Sequence, residues 1–203
     1  MKNFKPYTST RRHVVLSNKE HLWKGTSEKS LTKKYMAKAG RNNAGRITSR
    51  HRGGGHKKKY RIIDFKRTKF DIPASVIHIE YDPIRTARIA LIEYEDKTKS
   101  YIIAPDKLKI GDKVQSGDKV DIRIGNSMPL KNIPVGTVLH NVELKPGKGA
   151  QIARSAGSSV SLLAIDGGKA IIKLNSGEIK NVNENCFATV GTCLLYTSDA
   201  ADE

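Results

Sequence analysis

The first 59 residues hold no sustained apolar repeat at either the helical or the strand period, and every regular repeat begins at or after Tyr60. A segment of that kind buries too little surface to offset its own conformational entropy. The sequence therefore predicts an extended arm over residues 1–59 that orders on a partner, with short structured pieces inside it. Charge says what kind of partner. Residues 1–69 carry 21 Lys+Arg against three acids (Glu20, Glu28 and Asp64), a net +18. Residues 70–203 carry 16 against 17, a net −1, so the whole-chain charge of +17 belongs to one end. A cationic arm on a near-neutral body calls for a polyanion.

From Tyr60 onward the texture is that of short strands. Tyr60–Phe65, Ser75–Tyr81, Ala87–Tyr94, Ser100–Ala104 and Val120–Ile124 form a first set, with polar turns at Asp82-Pro83 and Glu95–Lys99. Residues 126–134, with Pro129 and Pro134, read as a linker. Gly136–Leu144, Ser159–Ile165, Ala170–Leu174 and Glu178–Val182 form a second set. Asp166-Gly167-Gly168 and Asn175-Ser176-Gly177 supply the glycines that tight hairpin turns demand. No long helical pattern competes. A hydrophobic content of 37% is enough for small cores only. The expected fold class is all-β, two small barrels behind a basic arm.

Several classes are excluded. No run approaches the roughly 20 apolar residues of a membrane span, and the N-terminus lacks the apolar region of a secretory signal. The expected setting is a reducing compartment, cytoplasmic or organellar, without a membrane. Cys186 and Cys193 are too few for a disulfide framework or a four-cysteine zinc site. Gly53-Gly54-Gly55-His56-Lys57 lacks the spacing of a phosphate-binding P-loop. His51 and His56 have no Cys or carboxylate at ligand spacing. Ser155 and Ser158 flank Gly157 without the G-x-S-x-G pattern. Glu93 and Glu95 alternate as on any solvated strand face. No catalytic residue, metal, cofactor or small-molecule substrate is expected.

The candidates for binding lie in the stretch 40–61. Arg41, Arg46, Arg50, Arg52 and Arg61 offer planar forks that match phosphate and stack on bases. Lys57, Lys58 and Lys59 add charge. Gly53, Gly54 and Gly55 allow close backbone approach, and their N–H groups suit phosphate oxygens. Asn42 and Asn43 suit base edges or 2′-hydroxyls, while His51, His56 and Tyr60 can stack. The mixture fits folded RNA better than duplex DNA, since no recognition helix is present. The plain alternative is a basic linker, a kind of segment that rarely mixes Arg, Asn, Gly and His. A second basic loop, residues 145–157, carries Lys145, Lys148 and Arg154 as its only charges. Its small residues would let the backbone lie against a phosphate chain. The alternative there is an ordinary long connection.

The blocks Arg11-Arg12-His13-Val14-Val15, 40–48, 50–57, 60–67, Glu80-Tyr81-Asp82-Pro83, 132–136, 140–149 and 153–157 follow one another in the order of a known family. Through them the chain resembles the bacterial-type ribosomal protein L2 (uL2) family. The resemblance implies an OB-fold barrel over residues 60–125 and an SH3-like barrel over residues 126–192. It implies binding to 23S-type ribosomal RNA, to neighbouring ribosomal proteins and to the small subunit at the subunit interface. It further implies a part in subunit assembly, subunit association and support of the peptidyl-transferase region, with no enzyme activity of the protein itself. Through the matching blocks it adds Arg11, Arg12, His13, Lys66 and Arg67 to the RNA-binding candidates. A translation factor or RNA chaperone built from the same barrels is the alternative, and a metal-dependent nuclease a more distant one.

The family pattern stops at Gly191, where members continue into a Gly/Arg/His-rich extension containing His-Pro-His-Gly-Gly-Gly. Here Thr192–Glu203 follows instead. Cys193–Ser198 matches one reading frame of a transposon-end adapter used in sequencing libraries. Residues 193–203 are therefore expected to be a non-native tail on a truncated chain.

Overall fold

The computed structural model describes residues 2–16, 19 and 22–194. The expected tail from Leu195 to Glu203 lies outside the described residues. Among the described residues there are strands and two short 3-10 turns but no α-helix, as the all-β reading requires.

The basic segment contains four short strands, β1 (Lys2–Asn3), β2 (Val15–Leu16), β3 (Thr32–Lys34) and β4 (Lys59–Arg61). They pair antiparallel as β1 with β2 and β3 with β4. Next come β5 (Ala74–Glu80), β6 (Ile89–Tyr94), β7 (Lys99–Ile103) and β8 (Lys113–Val114), hydrogen-bonded in the order β7-β6-β5-β8. Strand β6, Ile-Ala-Leu-Ile-Glu-Tyr, is buried at every position except Glu93. A strand apolar on both faces must be covered on both. On one face Ala90, Ile92 and Tyr94 pack with Ala74, Val76, Ile102 and Val114. On the other, Ile89 and Leu91 pack with Ile63, Tyr101, Ile103 and Cys193. Leu31, Phe65 and Ala156 close over that second cluster.

The basic segment is therefore docked along part of its length. Trp23 N–H donates to the Ile79 carbonyl at 2.8 Å, Glu28 N–H to the Tyr101 hydroxyl at 3.0 Å and Ile62 N–H to the Leu31 carbonyl at 2.9 Å. Single apolar residues such as Leu31 make these contacts, which is why no period announces them. Cys193, assigned from the sequence to the tail, is 1% exposed and bridges Pro105.

Strands β9 (Ser127–Pro129), β10 (Val138–His140), β13 (Val160–Asp166), β14 (Lys169–Leu174), β15 (Ile179–Asn183) and β16 (Phe187–Val190) form one antiparallel sheet, ordered β15-β14-β13-β10-β16-β9. Strands β11 (Val142–Glu143) and β12 (Ala150–Ile152) pair beside it. Met128, Leu130, Leu139, Val160, Leu162, Ile172 and Ala188 lie in its core. Gly167 and Gly168 turn β13 into β14 at φ of +53° and +76°, as the hairpin reading expects. The two sheets agree with an OB-fold barrel followed by an SH3-like barrel.

Three local readings are corrected. The expected linker 126–134 contains β9, paired with β16, and Met128 and Leu130 are core residues. Its prolines permit this because β9 is an edge strand. Val120–Ile124, expected as a strand, forms none. Ile122 and Ile124 are exposed, and the Asn126 carboxamide binds the Asp121 carbonyl and the Gln115 N–H instead, each at 2.9 Å. Gly136–Leu144, expected as one strand, is broken at Asn141, whose φ is +50°.

A polar seam joins the two sheets. Arg67 is 6% exposed with φ of +48°, and its Nη1 donates to the Gly125 carbonyl at 2.5 Å. Gly125 itself tolerates no side chain, since a Cβ there would lie 2.8 Å from Val114 Cγ1. His140 is fully buried, and its Nδ1 donates to the Gly191 carbonyl at 2.8 Å. Burial, with the nearby Arg67 charge adding to it, pushes the imidazole pKa down to about 4.

That shift fixes a pH dependence. Above the ordinary value of 6.5 His140 is neutral in both folded and unfolded chains. As pH falls from 6.5 toward about 4, the unfolded chain takes up a proton that the fold refuses, so stability falls across that window. The loss expected is about 3 kcal/mol. Urea denaturation through this window should show the decline, and His140→Gln should flatten it. An unchanged slope in the variant would place the acid sensitivity elsewhere.

Candidate nucleic-acid interface

The glycine/arginine block is a small folded unit. Arg41 and Ile47 bridge antiparallel, and Thr48 N–H donates to the Gly40 carbonyl at 2.9 Å. Asn42 closes the turn. Its carboxamide oxygen accepts the Arg46 N–H at 2.9 Å, and its backbone N–H donates to the Arg46 carbonyl at the same distance. The acceptor side of Asn42 is thus engaged within the protein, where residue type alone suggested RNA. Gly40 is required by contact: a Cβ there would lie 1.9 Å from the Ser49 carbonyl oxygen. The effect is to hold Arg41, Asn43, Arg46, Arg50, His51 and Arg52 outward, all exposed. Gly53, Gly54 and Gly55 follow with φ of +99°, +76° and +80°, and His56, Lys57, Lys58 and Lys59 are likewise exposed.

The chain then turns inward, and a second cationic face forms where the two basic stretches meet. Ala150 N–H donates to the Phe65 carbonyl at 3.0 Å, seating the 145–157 loop on the segment after β4. The Arg154 guanidinium lies 5.0 Å from the centre of the Phe65 ring. Arg85 lies 5.9 Å from both the Phe65 and the Tyr60 rings, and its Nε donates to Asp82 at 2.7 Å. Lys66 and Lys148 line one shallow groove with Leu31, Phe65 and Tyr101. Two stretches about 80 residues apart in the chain thus share one surface.

Glu143 fixes the second loop. Its carboxylate, on a residue 3% exposed, accepts N–H groups of Gly149 at 2.7 Å, Phe187 at 3.1 Å and Gly147 at 3.2 Å. The small residues of this loop suggested a backbone open to phosphate. Its amides at Gly147 and Gly149 are instead committed to Glu143, so the loop presents Lys145, Lys148 and Arg154 by their side chains.

Two of the expected RNA-binding residues have partners inside the protein. Arg67 is withdrawn into the seam, where burial lowers its pKa from the ordinary arginine value. Arg61 is mostly buried and sits 3.9 Å from Glu80. Arg11 ends a 3-10 turn (Ser9–Arg11), and it and the following Arg12 and His13 are exposed. Arg85 was missed because it stands alone in a turn. Its spacing of three from the buried Asp82 is the only sequence signal for it. Among the described residues no three His, Cys, Asp or Glu side chains gather as a metal site.

Two family models match the chain. One, described as Ribosomal Proteins L2, RNA binding N-terminal domain, covers residues 28–116. The other, Ribosomal Proteins L2, C-terminal domain, covers residues 123–195. The large ribosomal subunit protein uL2 of Rickettsia africae is 62% identical over 192 residues, 95% of this chain and 70% of that protein. The corresponding protein of Paracoccus denitrificans is 56% identical over 191 residues, 94% of this chain and 68% of that protein.

Removing the Glu143 carboxylate leaves three backbone donors without their acceptor. Glu143→Ala is expected to cost on the order of 3 kcal/mol in urea denaturation. It should also speed tryptic cleavage after Lys148. Parent-like cleavage after Lys148 would show that the loop is held by other contacts.

Proposed function

The chain belongs to the ribosomal protein L2 family, and on that premise we propose that it grips 23S-type ribosomal RNA with a two-part cationic surface. It is a large-subunit ribosomal protein and not an enzyme. The first part is the exposed run from Arg41 to Lys59, whose internal hydrogen bonds orient backbone turns and leave cations outward. The second is the braced face of Tyr60, Lys66, Arg85, Lys148 and Arg154. The observation that carries the reading is the convergence on Phe65, where Arg154 and Arg85 approach one ring from segments far apart in the chain. Cations fixed in advance engage a folded phosphate surface without first being ordered, and each neutralised phosphate releases counterions.

In this reading the protein works within the ribosome, cytoplasmic or organellar. Neighbouring ribosomal proteins and the small subunit are further partners. The grip on RNA supports subunit assembly, subunit association and the peptidyl-transferase region.

Binding to a 23S-type RNA fragment across a salt series tests the surface. Lys148→Ala and Arg154→Ala should each weaken binding. Each should also reduce the slope of log K against log salt by roughly 0.7 to 0.9 for every phosphate left without its cation. Arg67→Ala should lower stability and leave the slope unchanged. If Lys148→Ala and Arg154→Ala bind like the parent chain, the Phe65 face is not the interface. Release from large subunits by a high-salt wash would favour a dissociable translation factor.

A further inference from the structure

Trp23 is the only tryptophan of the chain, and it stands outside both cationic faces. Its ring stacks on His78, with centroids 4.6 Å apart and planes inclined by 18°. Its backbone N–H is fixed to the Ile79 carbonyl at 2.8 Å. Gly25 makes room for it: a Cβ there would lie 2.5 Å from the indole Cε2. His78 is held in turn by Glu80, whose Oε1 accepts from His78 Nε2 and from the Tyr101 hydroxyl, each at 2.8 Å. Glu80 is 3% exposed and Tyr101 fully buried, so the stack is anchored in the core. Yet Trp23 remains 51% exposed. Two residues beyond Ile79, Tyr81 carries the Lys19 ammonium 4.5 Å and the Arg88 guanidinium 5.1 Å from its ring centre.

A large aromatic left half open and locked against a second ring has the chemistry of a nucleobase platform. Bases stack on such rings without regard to sequence. We propose that Trp23, backed by His78, is a docking point for an unpaired base of the ribosomal RNA, separate from the arginine-glycine block and the Phe65 face. The proposal rests on the RNA-binding reading above and adds to it a site that is read by stacking and not by charge.

The full chain is titrated with a single-stranded oligoadenylate, with inorganic polyphosphate of matched charge and with a 23S-type RNA fragment, following the emission of Trp23. Quenching is expected with the oligoadenylate and the RNA fragment but not with polyphosphate. Read by the anisotropy of a labelled oligoadenylate, because the variants carry no tryptophan, Trp23→Leu should weaken binding about tenfold, with the salt slope unchanged because the cations all remain. Trp23→Phe should restore most of the affinity, which a merely structural role for the indole would not require. Equal quenching by polyphosphate, or parent-like binding by Trp23→Leu, overturns the platform while leaving RNA binding intact. Failure of the parent chain to bind any RNA overturns the reading beneath it instead.

Discussion

Tyr101 is the point on which the arrangement of the cationic surface depends. Its ring is fully buried on the second face of the four-stranded sheet. A buried phenol needs partners for its hydroxyl, and it finds them in separate segments: Glu80 on β5 accepts its proton and Glu28 of the basic segment donates an N–H to it. Its backbone carbonyl takes the Asp64 N–H at 2.8 Å. Burial pushes the hydroxyl pKa up, so the group stays a neutral donor. Through Tyr101 the basic segment is therefore tied to the first sheet both before and after the glycine/arginine block. The exposed block between them is a loop with anchored ends, not a free tail.

That tie explains the division of labour among neighbouring cations. Lys66 and Arg67 are adjacent, yet Lys66 is exposed and Arg67 is buried. The left-handed backbone at Arg67 turns the chain, and Asp64 accepts both N–H groups through Oδ1, at 3.1 Å and 2.8 Å. One cation is left for a ligand and the other is used between the two sheets. Glu143 does for the second loop what Asp64 does for this turn. In both places an acid inside a basic region organises backbone amides and leaves the lysines outside.

Much of this was legible in the sequence. Gly167-Gly168 and Asn175-Ser176-Gly177 announced their hairpins because positive φ leaves few residue choices. The strands β5 to β7 showed through their apolar content. What stayed hidden has a common cause, namely packing by single residues between distant segments. Leu31 covers a sheet without belonging to any period, and Met128 and Leu130 sit among prolines that read as a linker. Val120–Ile124 has the right alternation but no partner strand. Residue type alone separated neither Arg67 from Lys66 nor the engaged face of Asn42 from its neighbour Asn43. Arg85 lay outside the basic cluster and became visible only through its rings.

The bracing of the second loop by Glu143 has a thermal consequence. Lys145 to Gly149 is ordered as part of folding, so the RNA contact proposed for it would carry little further loss of chain entropy. The exposed run from Arg41 to Lys59 is held mainly by short-range hydrogen bonds, and the proposed docking onto RNA would restrict it further. The two parts of one surface then differ in their response to heat. On the proposed reading, warming would loosen the hold of the run that must be ordered and spare that of the loop already in place, so at high temperature the grip would shift toward the braced side of the molecule.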